Sequence, residues 1–190
     1  MLVSTPRQEL LDLVSELSFE RKHVVLSSGK ESNFYVDCKQ TLLSPDGMAL
    51  TGTVLVDEWQ RQGLDIDAVG GPTLGADPMT CAFVLQARRR GIKIPGFFIR
   101  KEAKGHGTMA FVEGTKGMTP GSKVLVLEDV ITTGGSSIRC IGHLRDAGFE
   151  VVHLFCLVDR KEGGREAIEA AGVPVTSMFT RDDFMGASEA

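Results

Sequence analysis

The most informative segment reads Val124-Leu125-Val126-Leu127-Glu128-Asp129-Val130-Ile131-Thr132-Thr133-Gly134-Gly135-Ser136. It predicts an apolar strand that ends in two adjacent acids, followed by a turn of small residues that enters a helix. In an open parallel sheet the carboxyl ends of the strands border the ligand crevice, so Glu128 and Asp129 are expected where a substrate lies. Their carboxylates can accept hydrogen bonds from the hydroxyls of a ribose.

The turn after the two acids has the composition of a phosphate-binding site. Glycines let backbone amides approach an anion closely, threonine and serine add hydroxyl donors, and the following helix presents its positive end. Each feature alone is equally compatible with a tight glycine turn and two solvated acids. In combination they favour a site for a sugar phosphate.

Helices and strands are predicted to alternate along most of the chain. Thr5-Pro6 and Ser44-Pro45 have the form of helix starts, and the second helix is expected to run past Trp59. The strand-like runs are Ile66 to Val69, Gly96 to Ile99, Lys123 to Leu127, Val151 to Val158 and Val173 to Phe179. Such near-continuous apolar runs favour an α/β fold whose central, mostly parallel sheet is flanked by helices.

Two regions depart from this alternation. Val24-Val25-Leu26 and Phe34-Tyr35-Val36 are short apolar runs around Ser28-Gly29-Lys30, and they predict a hairpin. The segment between Arg100 and Val124 contains too many glycines for a crossover helix. A flexible loop, a short strand near Phe111 and a turn are expected there instead.

The bulk composition fits one globular domain and excludes several classes of protein. The chain has 190 residues, of which 42% are hydrophobic and 24% charged, and its formal net charge is -4, which gives no general attraction to nucleic acid. The amino terminus lacks the pattern of a signal peptide, and no apolar run is long enough to span a membrane. The four cysteines are widely spaced, which favours reduced thiols and a cytoplasmic location over a zinc site.

The segment from Val124 to Ser136 resembles the phosphoribosyl pyrophosphate (PRPP) signature of the type I phosphoribosyltransferases. By this resemblance, Glu128 and Asp129 bind the ribose 2- and 3-hydroxyls, and the small-residue loop holds the 5-phosphate. The residues expected to bind PRPP in this segment are Glu128, Asp129, Val130, Ile131, Thr132, Thr133, Gly134, Gly135 and Ser136.

A basic segment follows the predicted strand Gly96 to Ile99. Arg100, Lys101, Lys104 and His106 stand beside flexible glycines. A charge run is usually a solvated surface, but the departure of pyrophosphate from PRPP calls for cations that close over the growing negative charge. This segment resembles the catalytic loop of the orotate phosphoribosyltransferases, and the likeness extends over nearly the whole chain.

The resemblance implies a fold, a reaction and an assembly. The fold is the type I phosphoribosyltransferase fold over residues 1–190, with a small hood over about 1–40, a core over about 41–190 and a flexible catalytic loop. The reaction joins orotate to the ribose 5-phosphate of PRPP, giving orotidine 5'-monophosphate and pyrophosphate in de novo pyrimidine (UMP) biosynthesis. The assembly is a homodimer in which the loop of one subunit reaches the active site of the other.

The resemblance also implies how the reaction is assisted. Lys104, Glu128 and Asp129 are the expected catalytic residues, and Arg100, Lys101, Lys104 and His106 are expected to bind the pyrophosphate. Mg²⁺ is the expected cofactor, held mainly by PRPP without a direct protein ligand.

Orotate differs from uracil by a carboxylate, which calls for a donor matched to a planar anion. Arg160 follows the predicted strand Val151 to Val158, so it is expected at the carboxyl edge of the sheet, where its guanidinium can grip a carboxylate with two parallel hydrogen bonds. Arg160 also matches the orotate-binding arginine of the family. Thr132 matches a residue that touches orotate, and Phe34 and Tyr35 match the segment that covers the base.

The chain departs from the family at two positions. The best-known bacterial members carry lysines approximately where this chain has Ser27 and Leu74. We expect these departures to affect the affinity of the chain for the phosphate groups of its substrate more than the type of reaction. Lys30 and Lys39 are the nearby cations that could replace them, and the sequence does not decide between them.

Other readings make different predictions. A P-loop is excluded because Ser122 precedes Lys123 where the motif requires glycine. A dinucleotide site at Gly105-His106-Gly107 would predict NAD binding, but the Gly- and Pro-rich residues that follow cannot supply its helix. A phosphoribosyltransferase for a purine or uracil would not need Arg160. A PRPP-sensing regulator would bind PRPP without turnover, and the DNA-binding part that such proteins usually carry is not evident.

Overall fold

The computed structural model describes residues 4–25, 31–103 and 111–185. The helices are α1 (Pro6–Leu17), α2 (Lys39–Leu42), α3 (Pro45–Gln62), α4 (Ala76–Arg89), α5 (Gly135–Asp146), α6 (Gly164–Ala170) and α7 (Arg181–Met185). The strands are β1 (Phe19–Glu20), β2 (Val24–Val25), β3 (Glu31–Ser32), β4 (Tyr35–Val36), β5 (Ala68–Pro72), β6 (Gly96–Ile99), β7 (Val112–Glu113), β8 (Lys123–Ile131), β9 (Glu150–Asp159) and β10 (Val175–Thr180).

Both predicted helix starts are confirmed by their capping hydrogen bonds. The Thr5 hydroxyl accepts from the Gln8 amide at 3.2 Å, and the Ser44 hydroxyl accepts from the Gly47 amide at 3.1 Å. The short helix α2 was not predicted, because four residues are too few to show a helical period. In the described ranges, each helix is too short or too polar to traverse a bilayer.

The central sheet has six strands in the order β10-β9-β8-β5-β6-β7. Neighbouring strands run parallel except for β6 and β7, which are antiparallel at one edge. The expected mostly parallel sheet is therefore confirmed, as is a short strand near Phe111.

Strand β8 is apolar from Val124 to Leu127, where it is covered on both faces. Leu125 and Leu127 pack in the core cluster that includes residues of α1, α3 and α4, whereas Val124 and Val126 pack in the cluster that includes residues of α5 and α6. All four side chains are fully buried, and each contributes about 1.5 to 3 kcal/mol of burial free energy.

The connections that leave the neighbouring strands β5 and β8 run over opposite faces of the sheet. From β5 the chain crosses through α4 to β6 on one side, and from β8 it crosses through α5 to β9 on the other. Strand β8 pairs with β5 only as far as Val126, but with β9 as far as Ile131. A crevice therefore opens beside the end of β8, at the type of position where ligands bind in open α/β sheets.

Two predicted details of the strands are wrong. Strand β8 does not end at Leu127, because pairing with β9 continues to Ile131 and places Glu128 and Asp129 inside the strand. The segment Tyr35–Val36 does not pair with Val24–Val25 but with Phe19–Glu20, while β2 pairs with β3. The two pairs are nested, and the outer one lets the ring of Phe19 pack 5.1 Å from that of Phe34.

Candidate active site

Glu128 is a buried acid in the last part of β8. Only 5% of its surface is exposed, and Oε2 accepts hydrogen bonds from the Ser136 hydroxyl at 3.1 Å and the Ser137 hydroxyl at 2.7 Å. Burial raises the pKa of Glu128 to about 7, with a further increase from the charge of Asp129, while the two serine bonds oppose the rise. At neutral pH the carboxyl is poised between its charged and neutral forms.

Asp129 lies at the mouth of the crevice. Its Oδ1 accepts from the Val130 amide at 2.9 Å. Burial raises the pKa of Asp129, and the nearby Lys39 and this amide oppose the rise. The loop after β5 lies directly against the carboxylate, since a Cβ on Gly75 would stand 2.3 Å from Asp129 Cγ. Any side chain at this position would have to displace the carboxylate, so glycine keeps the loop in contact with Asp129.

The small-residue turn after β8 forms a backbone cradle at the start of α5. Gly134 has a φ of +79°, which places it in the left-handed region and lets the chain turn into α5 at Gly135. A Cβ on Gly134 would lie 2.7 Å from the Gly164 carbonyl oxygen, so the turn packs directly against the backbone at the start of α6. Ser136 ties the cradle to Glu128 through its hydroxyl. The amides at the start of α5 and the acids are thus joined in one arrangement suited to a sugar phosphate.

The basic segment starts at the end of β6. The Arg100 amide donates to the Phe111 carbonyl oxygen at 2.8 Å, and the Arg100 guanidinium pairs with Glu113 at 2.9 Å. Lys101 is exposed. Lys104 and His106 lie outside the described residues, so the structure does not place them.

A cavity of about 290 Å³ joins the basic segment to the cradle. Its lining includes Thr73 from the loop after β5, Arg100 and Lys101, and Ser136 and Arg139 from α5. The structure thus brings two of the four predicted pyrophosphate-binding residues to the same cavity as the end of the cradle.

Arg160 follows β9 directly, and its amide donates to the Ile131 carbonyl oxygen at 3.0 Å. Arg160 is 7% exposed, and its guanidinium donates to the Phe34 carbonyl oxygen at 3.0 Å and pairs with Glu162 at 3.0 Å. The expected location at the carboxyl edge of the sheet is therefore observed. The guanidinium is held by protein groups at the junction between the hairpin region and the sheet.

Phe34 and Tyr35 differ in what their side chains contact. The Phe34 ring is fully buried, 5.1 Å from Phe19 and 5.9 Å from Phe184. The Tyr35 ring is partly buried, with the ammonium of Lys22 3.8 Å from its centre. Phe34 therefore holds the segment to the core, and both its backbone carbonyl and its ring face Arg160, whose guanidinium carbon lies 5.5 Å from the ring centre.

Sequence reasoning missed two site residues and left a third undecided. Ser137 donates to Glu128, Glu162 pairs with Arg160, and Lys39, which the sequence offered as an alternative to Lys30, lies within electrostatic reach of Asp129. A buried carboxylate requires donors, so the serine pair directly after the cradle could have been connected with Glu128. The other two partners depend on tertiary packing.

Within the described ranges, no group of three or more His, Cys, Asp or Glu side chains is arranged to hold a metal ion. The acids that converge at the crevice are Glu128 and Asp129.

The comparisons with known proteins agree with one another. A family model for the phosphoribosyl transferase domain matches residues 67–177. The orotate phosphoribosyltransferase of Sorangium cellulosum is 46% identical over 182 residues, covering 96% of this chain and 94% of the relative. The Mycobacterium tuberculosis H37Rv orotate phosphoribosyltransferase in complex with Fe(III) dicitrate aligns with a TM-score of 0.82 and 38% identity, covering 95% of this chain and 99% of that one. The same enzyme in complex with PRPP aligns with a TM-score of 0.77 and 36% identity, over 95% and 99% of the two chains.

Proposed function

The chain belongs to the orotate phosphoribosyltransferase family, and on that premise we propose that it transfers the ribose 5-phosphate of PRPP to N1 of orotate. Pyrophosphate is the second product, and the reaction supplies orotidine 5'-monophosphate to de novo pyrimidine synthesis. The observation that carries the proposal is the arrangement at the end of β8. Two acids and a backbone cradle stand at the point where the crossovers diverge, linked by the bond from Ser136 to Glu128.

This arrangement matches the two ends of a ribose 5-phosphate. The cradle from Thr132 to Ser136 binds the 5-phosphate through backbone amides and the start of α5. Glu128 and Asp129 accept hydrogen bonds from the ribose hydroxyls. As the ribose gains positive charge in the transition state, the same carboxylates stabilise it electrostatically.

The chemistry is a displacement at the anomeric carbon with inversion. Orotate N1 attacks as pyrophosphate leaves, so the protein mainly positions two anions that repel each other and stabilises the leaving group. Arg100, Lys101, Lys104 and His106 bind the leaving pyrophosphate. The cavity that joins Arg100 and Lys101 to Ser136 supports this assignment.

Arg160 binds the orotate carboxylate. Its location supports this role, because it follows β9 at the carboxyl edge and bonds to the backbone of Ile131, directly before Thr132. Its planar guanidinium, which lies beside the Phe34 carbonyl and Glu162, has the fork geometry that matches the two oxygens of a carboxylate. Thr132 and the segment Phe34-Tyr35 complete the base site.

Mg²⁺ is the proposed cofactor. The diphosphate and ribose oxygens of PRPP would hold this hard cation without a direct protein ligand, while Glu128 and Asp129 would bind the ribose hydroxyls. When bound, the metal neutralises charge on the pyrophosphate.

The assembly and organisation are proposed from the family. The chain forms a homodimer in which the loop of one subunit reaches the other active site. It is a single domain over residues 1–190, with a hood over about 1–40 and a core over about 41–190. Its location is cytoplasmic, and no nucleic acid or membrane takes part.

A base panel tests the proposed function. The protein is incubated with PRPP, Mg²⁺ and orotate, uracil, adenine or hypoxanthine, and the nucleotide formed is identified by mass spectrometry. Orotidine 5'-monophosphate is the expected product. Formation of uridine or purine monophosphate alone, or PRPP binding without any product, would overturn the proposal.

A further inference from the structure

The cradle from Thr132 to Ser136 contains no charged side chain. Its amides and hydroxyls can donate hydrogen bonds, but a phosphomonoester carries between about 1.5 and 2 negative charges at neutral pH. The positive end of α5 is equivalent to only about half a charge, so it offsets part of this. A cation beside the cradle would therefore add to its affinity for a phosphate.

Arg139 is the cation that the structure places beside the cradle. It lies in α5 four residues after Gly135, and helical side chains lean toward the amino terminus, so residues four apart lie one above the other. The guanidinium follows this direction, because a Cβ built on Gly135 would stand 3.5 Å from Arg139 Nη1. The Arg139 side chain thus reaches back over the backbone of the cradle from an exposed position on the helix.

Arg139 forms no ion pair or hydrogen bond with another side chain in the part of the chain that the structure describes. The first turn of α5 contains no acid, and the Glu128 carboxylate accepts its hydrogen bonds from Ser136 and Ser137 instead. A cation that leans toward the positive end of a helix is electrostatically unfavourable unless an anion lies close to both. The position of the Arg139 charge is therefore explained by an anion that occupies the cradle.

The cavity beside the cradle leaves room for a ligand at this guanidinium. Its volume is about 290 Å³, and its lining includes both Ser136 and Arg139. One turn further along the same face of α5, the ring of His143 stacks on that of Phe111 with 3.8 Å between the ring centres. This face of the helix is therefore packed by an aromatic ring at His143 and open to the cavity at Arg139.

We propose that Arg139 binds the 5-phosphate of PRPP, in addition to the backbone amides of the cradle. The planar fork of a guanidinium can donate two parallel hydrogen bonds to the oxygens of one phosphate. The role concerns this end of the substrate because Gly135, over which the guanidinium lies, belongs to the cradle, whereas the diphosphate is attached to C1 at the other end of the ribose. The inference rests on the proposed binding of PRPP at the cradle.

Calorimetry with ribose 5-phosphate and with Mg²⁺-pyrophosphate separates the two ends of PRPP without requiring orotate turnover. The variants are Arg139→Gln, which keeps most of the side-chain length without the charge, and Arg139→Lys, which keeps the charge without the planar fork. Arg145→Gln is the matched control, because Arg145 is an exposed arginine in the last turn of the same helix. Melting temperatures establish that each variant is folded.

Arg139→Gln is expected to weaken ribose 5-phosphate binding about tenfold and to change pyrophosphate binding less than about twofold. Arg139→Lys should weaken ribose 5-phosphate binding by a smaller factor, because the charge remains but the paired hydrogen bonds are lost. Arg145→Gln should change neither affinity.

Three results would overturn the inference. The first is an unchanged ribose 5-phosphate affinity in Arg139→Gln, the second is an equal or larger loss of pyrophosphate affinity in that variant, and the third is an equal loss of ribose 5-phosphate affinity in Arg145→Gln. Absence of ribose 5-phosphate binding in the wild type would overturn the inference together with the cradle. Failure to form orotidine 5'-monophosphate by a wild-type protein that binds ribose 5-phosphate would instead count against the proposed function alone.

Discussion

Replacement of Glu128 by glutamine is expected to stabilise the protein at alkaline pH while impairing transfer. The Glu128 carboxyl is buried, and its pKa is about 7 in the fold instead of the ordinary 4.5. Between these pH values the folded chain holds a proton that the unfolded chain has lost. The free energy of unfolding therefore falls as the pH rises through this window. Above pH 7 the protein carries the full loss of stability that ionising Glu128 causes, which is called the deficit below.

The size of the deficit follows from the two pKa values. At about 1.4 kcal/mol per pKa unit, the difference between 4.5 and about 7 corresponds to about 3 kcal/mol. About 2.5 kcal/mol of it develops between pH 5 and pH 8. Glutamine has no such titration, and its amide oxygen can still accept from Ser136 and Ser137. The stability advantage of Glu128→Gln over the wild type should therefore grow by about 2 to 3 kcal/mol between pH 5 and pH 8.

Urea unfolding followed by circular dichroism at several pH values measures this difference. Glu58→Gln is the matched control, because Glu58 is also buried but a hydrogen bond from Arg61 lowers its pKa. The ionised Glu58 carboxylate stabilises the wild-type fold, and this stabilisation is lost only at acid pH. The free energy of unfolding of Glu58→Gln should therefore lie below that of the wild type by a constant amount between pH 5 and pH 8. Activity of Glu128→Gln should fall about tenfold or more, because ribose loses a charged acceptor. A stability difference between Glu128→Gln and wild type that changes by less than about 0.5 kcal/mol over this range would refute the reasoning.

Three further substitutions and one control test the site. Arg160→Ala is expected to weaken orotate binding about a hundredfold in calorimetry with PRPP present, because a paired charge-assisted contact is lost; unchanged affinity would assign Arg160 to the fold alone. Lys104→Ala should lower the turnover number in steady-state assays about a hundredfold, as for loss of one preorganised charge-stabilising donor, and near-normal turnover would contradict the loop assignment. Gly134→Ala should weaken PRPP binding, because its Cβ would meet the Gly164 carbonyl oxygen at 2.7 Å. Gly163→Ala, with a φ of +87° but open space around it, should cost about 1 kcal/mol of stability and leave PRPP affinity, measured by calorimetry, unchanged. Equal PRPP affinity in the two glycine variants would argue against the cradle.

The parts of the fold that local patterns determine were predictable from the sequence. The strand, turn and helix from Val124 to Ser136 have a continuous apolar run and glycine punctuation, and the structure confirms them in outline. The family and the type I phosphoribosyltransferase fold are confirmed by the relatives from Sorangium and Mycobacterium. Sequence also placed Arg160 at the correct edge of the sheet, because it directly follows a recognisable strand.

The parts that depend on tertiary pairing were not predictable in the same way. The partner of Tyr35–Val36 was wrong because two-residue strands carry too little alternation to specify register. The end of β8 was wrong because pairing with β9 extends the strand past its apolar residues. The choice between Lys30 and Lys39 could not be made from the sequence, and Lys30 lies outside the residues that the structure describes.

The carboxyl edge of the sheet combines several features that each cost folding free energy. Glu128 is buried with a raised pKa, Gly134 loses more conformational freedom on folding than other residue types do, and β8 has no pairing with β5 beyond Val126. The fully buried residues from Val124 to Leu127 offset these costs from the adjacent part of the same strand. A bound sugar phosphate would add ribose hydroxyl donors to the acids and would place an anion at the cradle. PRPP at a hundred times its dissociation constant would stabilise the fold by about 2.7 kcal/mol, which is comparable to the cost of ionising Glu128. Binding and folding are therefore coupled at this edge, and the acids can remain unfavourable for stability because the ligand needs them.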